Sequence, residues 1–150
     1  VLLPMILILV GAPPFFVAKP VPFNPERVRF GDYGAALIGV AGPLTNLMLA
    51  VIAALLFRMF APTIDLGVAT AMVIFIKVNV AFFIFNMIPF PPLDGSRLLY
   101  AFAPEPLRRV MEQIESMGFF AILFFMFIVF QFAGGGIITL QSHVVDFLIG

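Results

Sequence analysis

The residues able to do chemistry in this 150-residue chain fall in three places. Asp94 closes the run N-M-I-P-F-P-P-L-D-G, from Asn86 to Gly95, in which Pro89, Pro91 and Pro92 stand within four residues. Prolines stop a helix and bias their predecessors toward extended backbone. The run therefore predicts a stiff, extended stretch that presents Asp94, with Gly95 permitting a tight turn after it. Such an edge would suit hydrogen bonding to an incoming extended peptide. Equally, Asp94 would serve as the N-cap of a short helix through Arg97–Phe102. The second place is A-G-P-L-T-N, Ala41 to Asn46. Asn46 offers an amide donor and acceptor to whatever lies opposite, either a ligand or a neighbouring helix backbone. The third is Lys77, alone in an apolar stretch and about 200° round a helix from Asn79, since helical residues step by roughly 100°. It calls for an acidic partner or a wet cavity. His143, in Q-S-H near the C-terminus, is the sole histidine and reads as an interfacial residue.

The elements that must position these groups are long apolar stretches. Gly34–Phe60 holds no charge until Arg58, and Leu66–Ile88 only Lys77. At about 1.5 Å per residue both can cross a hydrocarbon core of roughly 30 Å. Val1–Phe16 reads as the tail of a span, Gly118–Phe132 as a short span, and Ile137–Gly150, with Gln141, His143 and Asp146, as interfacial or partial. Within the second stretch Ala35, Gly39, Gly42, Asn46 and Ala50 share one small-residue face, with Pro43 predicted to kink or open the helix. Asn79 and Asn86 share a face of the third. Glu105–Met117 predicts an amphipathic surface helix, with Glu105→Arg109 and Arg108→Glu112 as opposite-charge pairs.

Composition sets the class. Hydrophobic residues make up 63% of the chain and charged residues 11%, against about 25% charged in soluble domains. The expectation is an all-α, polytopic transmembrane helix bundle with Pro-broken helices and a cytoplasmic-side amphipathic helix, in one membrane domain over residues 1–150. Eight basic residues cancel eight acidic ones, which leaves no field for nucleic acid. Without Cys there is no thiolate metal site and no cysteine nucleophile. Basic residues in 17–33 (Lys19, Arg27, Arg29) and 89–117 (Arg97, Arg108, Arg109) place those connections in the cytoplasm, and 61–65 outside. The chain is thus expected to lie in the cell membrane as a multi-pass protein.

Taken together, A-G-P-L-T-N followed by F-N-M-I-P-F-P-P-L-D-G resembles the site-2 protease family of intramembrane zinc metallopeptidases, in its compact prokaryotic form. A-K-P-V-P-F-N-P, Ala18 to Pro25, is similar to the loop preceding the G-P-x-x-N helix there. The resemblance covers roughly Val1 to Pro104. It implies hydrolysis of peptide bonds in transmembrane protein substrates, by a Zn2+ ion held by an H-E-x-x-H helix and by the Asp of L-D-G. Asp94 would be that metal ligand, and Asn46 a catalytic residue near the reacting carbonyl. Asn86, Pro89, Pro91 and Pro92 would shape the substrate-binding channel. Zinc in such sites takes three protein ligands and an open position for water.

One departure limits what the chain does alone: it holds no H-E-x-x-H. A domain incomplete at its N-terminus is the expectation, with the remaining ligands upstream of Val1 and no cleavage by this stretch by itself. The alternative is a catalytically inactive membrane scaffold, or a relative that binds a partner helix in the same groove. A small transporter or channel subunit, with Lys77 lining a pathway, is disfavoured by the absence of paired halves.

Overall fold

The computed structural model describes residues 31–150. The expected span over Val1–Phe16 and the extended K-P-V-P-F-N-P run lie outside the described residues. All regular structure described is helical: α1 (Gly31–Phe60), α2 (Leu66–Asn86), α3 (Gly95–Phe102), α4 (Glu105–Ser116), α5 (Phe119–Ile128) and α6 (Gly134–Ile149). A π-helical segment, Val129–Ala133, joins α5 to α6.

Among the described residues, three helical paths are long and apolar enough to cross a membrane: Gly31–Phe60, Leu66–Asn86 and Phe120–Ile149. The first two match the sequence expectation within a few residues. The third corrects it, because Gly118–Phe132 and Ile137–Gly150 are one continuous path rather than a short span and an interfacial piece. Gln141 explains the difference. Its amide donates to the Lys77 carbonyl at 2.9 Å, so a polar residue read as facing the interface is satisfied by a neighbouring helix.

A core of Ala50, Ala54, Ile76, Val80 and Val145 forms where α1, α2 and α6 meet. The alanines let α1 approach α2 closely, the usual solution where lipid tails remove any hydrophobic drive between helices. Asp65 caps α2, its carboxylate accepting from the Gly67 and Val68 amides at 2.8 and 3.1 Å. α1 runs through Pro43 as unbroken helix. The missing N–H still denies the Gly39 carbonyl its helical donor.

Below the C-terminal end of α2 the chain turns through residues 87–94 into α3 and then α4. α4 follows the predicted bounds, but it is tied to the protein as well as being amphipathic. Arg97 pairs with Glu115 at 2.6 Å, and Arg108 with Asp32 at 2.8 Å. The Arg109–Glu105 contact is present at 3.5 Å and exposed. Arg108 takes Asp32 of α1 and the Tyr100 carbonyl in place of the expected Glu112. Gly118, at φ +56°, turns the chain from α4 into α5, a conformation that favours glycine.

Candidate functional site

The site is built where α3 crosses α1. At Gly39 a methyl group would stand 2.8 Å from Arg97 Cβ and 2.9 Å from the Asp94 carbonyl oxygen, so only glycine admits this crossing. At Gly42, one turn nearer Asn46, a methyl would lie 3.4 Å from Asp94 Oδ2. The Asp94 carboxylate therefore lies over Gly42, on the face that carries Asn46 one turn further along. Asn46 is half-buried and makes no side-chain hydrogen bond among the described residues.

The proline run behaves differently from expectation. In place of an extended edge, residues 87–94 form consecutive turns: Phe90 N–H donates to the Ile88 carbonyl, and Leu93 N–H to the Phe90 carbonyl, both at 2.8 Å. The backbone donors left by the prolines are spent inside the turns, so the segment presents no ladder for a peptide to extend. Phe90 stacks on Phe125 of α5 with ring centres 4.2 Å apart, which anchors the turn to the third span. Pro91 and Leu93 are buried, Pro92 half-buried and Pro89 exposed.

Gly95 is required for another reason than turning. Its φ is not positive, but a Cβ there would stand 2.5 Å from the Met87 carbonyl oxygen and 2.7 Å from that of Ile88. The start of α3 is thus pressed against the end of α2. Ser96, buried, locks the junction with its hydroxyl donating to the Leu93 carbonyl at 2.7 Å.

Asp94 occupies the N-cap position of α3, yet its side chain makes no capping hydrogen bond and its backbone is already helical at φ −59°, ψ −35°. Capping requires extended backbone so that the side chain can reach back to the N2 or N3 amide. Asp65 does this for α2; Asp94 does not for α3. The carboxylate is exposed, but the helices crowding one side push its pKa up by desolvation, and the Arg97 guanidinium opposes this.

Arg97 is the centre of a clasp that sequence reading did not anticipate. Its stem packs on Gly39, its guanidinium bonds Glu115 and lies 5.7 Å from the Tyr100 ring centre. Tyr100 donates to the other oxygen of Glu115 at 3.1 Å, and burial together with that carboxylate drives the phenol pKa up. The signal available was slight: Arg97 three residues after Asp94, and Glu115 on the polar face of a predicted helix.

The predicted channel residue Asn86, and Asn79 on the same helix face, are otherwise engaged. Asn86 donates to the Phe82 carbonyl at 3.0 Å and Asn79 to that of Phe75 at 2.9 Å, each within α2. His143 is remote from Asp94: it sits two residues from Val145, at the depth of Ile76 and Val80, whereas Asp94 follows the end of α2. Among the described residues no three His, Cys, Asp or Glu side chains converge as a metal site. Asp94 itself suits a cation: an exposed carboxylate, free of hydrogen-bond donors, on a backbone fixed from three sides. The described residues thus fit one ligand of a metal centre and not a whole one.

Comparison with known proteins bears on the family. Residues 58–130 match peptidase family M50, a range that includes α2, the proline turn, Asp94 and the clasp. The chain is 38% identical over 125 residues to "Putative zinc metalloprotease YwhC" of Bacillus subtilis (strain 168). The match takes in 79% of this chain, which spans 56% of that relative's length. No solved structure gives a significant match.

Proposed function

The chain belongs to peptidase family M50, the site-2 proteases, and from that membership we propose that it supplies one metal ligand and part of the substrate channel of an intramembrane zinc metallopeptidase. The observation that carries the reading is the Asp94 carboxylate, left uncapped over Gly42 on the face that bears Asn46. A carboxylate kept free at a helix start, where capping would bring stability, is held for another purpose.

Zinc held with Asp94 as one ligand would supply Lewis acidity, polarising the scissile carbonyl and lowering the pKa of its water to about 7. The chain's own residues do the rest. Asp94 contributes a negative oxygen whose direction is set by Gly95 against α2 and by the stem of Arg97 against Gly39. Asn46 directs its amide toward the carbonyl oxygen of a bound peptide, where charge develops during attack. The turn of Pro89, Pro91 and Pro92 forms a rigid wall beside Asp94. Asn86, hydrogen bonded within its own helix, contributes shape and its second amide hydrogen rather than a free side chain. The substrate is a transmembrane protein segment, met from within the bilayer, and the positive-inside pattern puts Asp94 near the cytoplasmic side.

The test uses the full-length protein in detergent. Wild type is expected to bind zinc stoichiometrically and to cleave a transmembrane model substrate, and Asp94→Ala to lose both while keeping its expression and helix content. Asp94→Ala with undiminished zinc content would remove Asp94 from the ligand set. A wild-type protein that binds neither zinc nor cleaves would favour the scaffold reading.

A further inference from the structure

Arg97 stands three residues after Asp94, and the backbone between them is already helical, the Arg97 N–H donating to the Asp94 carbonyl at 3.0 Å. At this spacing an acid and a base meet on one helix face, with Cβ atoms about 5–6 Å apart. A guanidinium on its three-carbon stem spans that gap. The local ion pair is therefore the one the sequence favours, yet it is not made. The Arg97 guanidinium bonds Glu115, 18 residues away on α4, at 2.6 Å. The Asp94 carboxylate takes part in no ion pair among the described residues.

The two side chains part over α1. The Arg97 stem crosses Gly39, and the Asp94 carboxylate lies over Gly42, one turn along. Beyond Gly39 the guanidinium meets an assembled acceptor. One Glu115 oxygen takes Arg97, the other takes the Tyr100 hydroxyl at 3.1 Å, and the Tyr100 ring centre lies 5.7 Å from the guanidinium carbon. Tyr100 is buried, and Arg97 and Glu115 are half-buried. α4 is itself held in place, Arg108 donating to Asp32 of α1 at 2.8 Å and to the Tyr100 carbonyl at 3.0 Å. Released from Glu115, the guanidinium has the Asp94 carboxylate within reach, and a two-pronged arginine–carboxylate contact would occupy the oxygens a metal needs.

On the reading of Asp94 as a zinc ligand, on which this rests, we propose that Glu115, with Tyr100, is a positioning residue: it holds the Arg97 guanidinium on α4 and so keeps the Asp94 carboxylate open to the metal. Affinity falls with the fraction of molecules in the binding-competent state, so a carboxylate engaged by Arg97 about nine-tenths of the time binds zinc about tenfold more weakly. Residues that orient metal ligands commonly act at this level or above.

The experiment measures zinc dissociation constants of the full-length protein in detergent, by competition with a chromogenic chelator, beside thermal unfolding of the metal-free protein. Wild type binds zinc and Asp94→Ala does not; equal behaviour of the two would remove Asp94 as a ligand, and the role of Glu115 with it. With that difference established, Glu115→Gln is expected to weaken zinc binding about tenfold. Adding Arg97→Met keeps the Cβ and Cγ that pack on Gly39 and removes the guanidinium. The double variant regains wild-type zinc affinity while unfolding no later than Glu115→Gln. A clasp with a structural role alone gives the opposite, affinity falling in step with stability. Asp32→Asn removes an equal charge from the other tie of α4 and leaves Glu115 in place, so it keeps wild-type affinity. A comparable loss there would reveal a general effect of charge and overturn the proposal. Unchanged affinity in Glu115→Gln, or a double variant that stays weak, overturns it too, and leaves the assignment of Asp94 intact. Should Glu115→Gln not fold, Tyr100→Phe loosens the same acceptor at constant charge. Weaker zinc binding, recovered on adding Arg97→Met, is then expected, and wild-type affinity in Tyr100→Phe overturns the proposal.

Discussion

Gly39→Ala probes the crossing that holds Asp94 in place. The added methyl would sit 2.8 Å from Arg97 Cβ, 2.9 Å from its Cγ and 2.9 Å from the Asp94 carbonyl oxygen. Carbon atoms rest at about 3.5–4.0 Å, so α3 must withdraw from α1 by roughly 0.7–1 Å. The arginine stem cannot swing aside, because its guanidinium is fixed to Glu115. The Asp94 contact is backbone and cannot give at all. Overpacking of this size costs about 1–3 kcal/mol of stability. Its effect on turnover is larger, because a displacement of about 1 Å at a catalytic constellation costs on the order of a hundredfold. Substrate cleavage and thermal unfolding of the full-length protein in detergent are measured together, with Gly136→Ala as control, since a Cβ at Gly136 meets nothing within 4 Å. Gly39→Ala is expected to lose most activity and a few degrees of unfolding temperature while Gly136→Ala loses neither. Wild-type turnover and stability in Gly39→Ala would refute the argument that α3 is seated on a glycine.

Three further outcomes follow from the same geometry. In metal-free protein near pH 7, Asp94→Asn, which removes a carboxylate whose pKa is raised by burial, is expected to unfold no earlier than wild type, while zinc binding and activity are lost. The sign is fixed: a carboxyl raised above its unfolded value opposes folding once ionised, and the opposition vanishes as pH falls below that value. A marked loss of thermal stability in Asp94→Asn would show that the carboxylate works as a structural cap. Asn46→Ala is expected to slow cleavage less than Asp94→Ala, by about 10²–10³-fold in kcat for a lost oxyanion donor, with unchanged zinc content; an equal or greater loss than Asp94→Ala would reverse the assigned roles. Glu115→Gln, which strips the clasp of its charge, should destabilise the protein by about 1–3 kcal/mol, as expected for a charged hydrogen bond, seen as earlier thermal unfolding. Unchanged unfolding would mean the clasp contributes nothing measurable.

Much of the fold was legible because lipid imposes a simple rule. An uninterrupted apolar run of sufficient length must be a helix, and α1 and α2 follow from that alone. α4 was legible from its charge periodicity. The C-terminal span was not, because the rule treats Gln141 and Asp146 as costs to be paid at the interface, whereas one of them is bonded to a neighbouring helix. Partners across helices leave no trace in a single stretch of sequence. The same blindness applies to Arg108: facing Glu112 is a sound local pairing, and it lost to Asp32, 76 residues away.

At the candidate site, the sequence showed where the chain would be stiff but not how. Prolines and a glycine around Asp94 were read as an extended edge followed by a turn. The structure uses the prolines to close turns on themselves, and the glycine to press α3 onto the carbonyl end of α2. Both arrangements immobilise Asp94, so the expectation of a fixed carboxylate does not depend on which picture of its backbone is used. Asp65 and Asp94 show what the sequence could not decide. Both are aspartates placed just before a helix, and both fit the N-cap pattern equally. Asp65 adopts extended backbone and spends its carboxylate on two amides. Asp94 is drawn into helical backbone by the Gly95 contact with α2, and that shift carries the carboxylate away from the amides and over Gly42. The packing that denies Asp94 a capping role is therefore the packing that makes its oxygen available to a ligand.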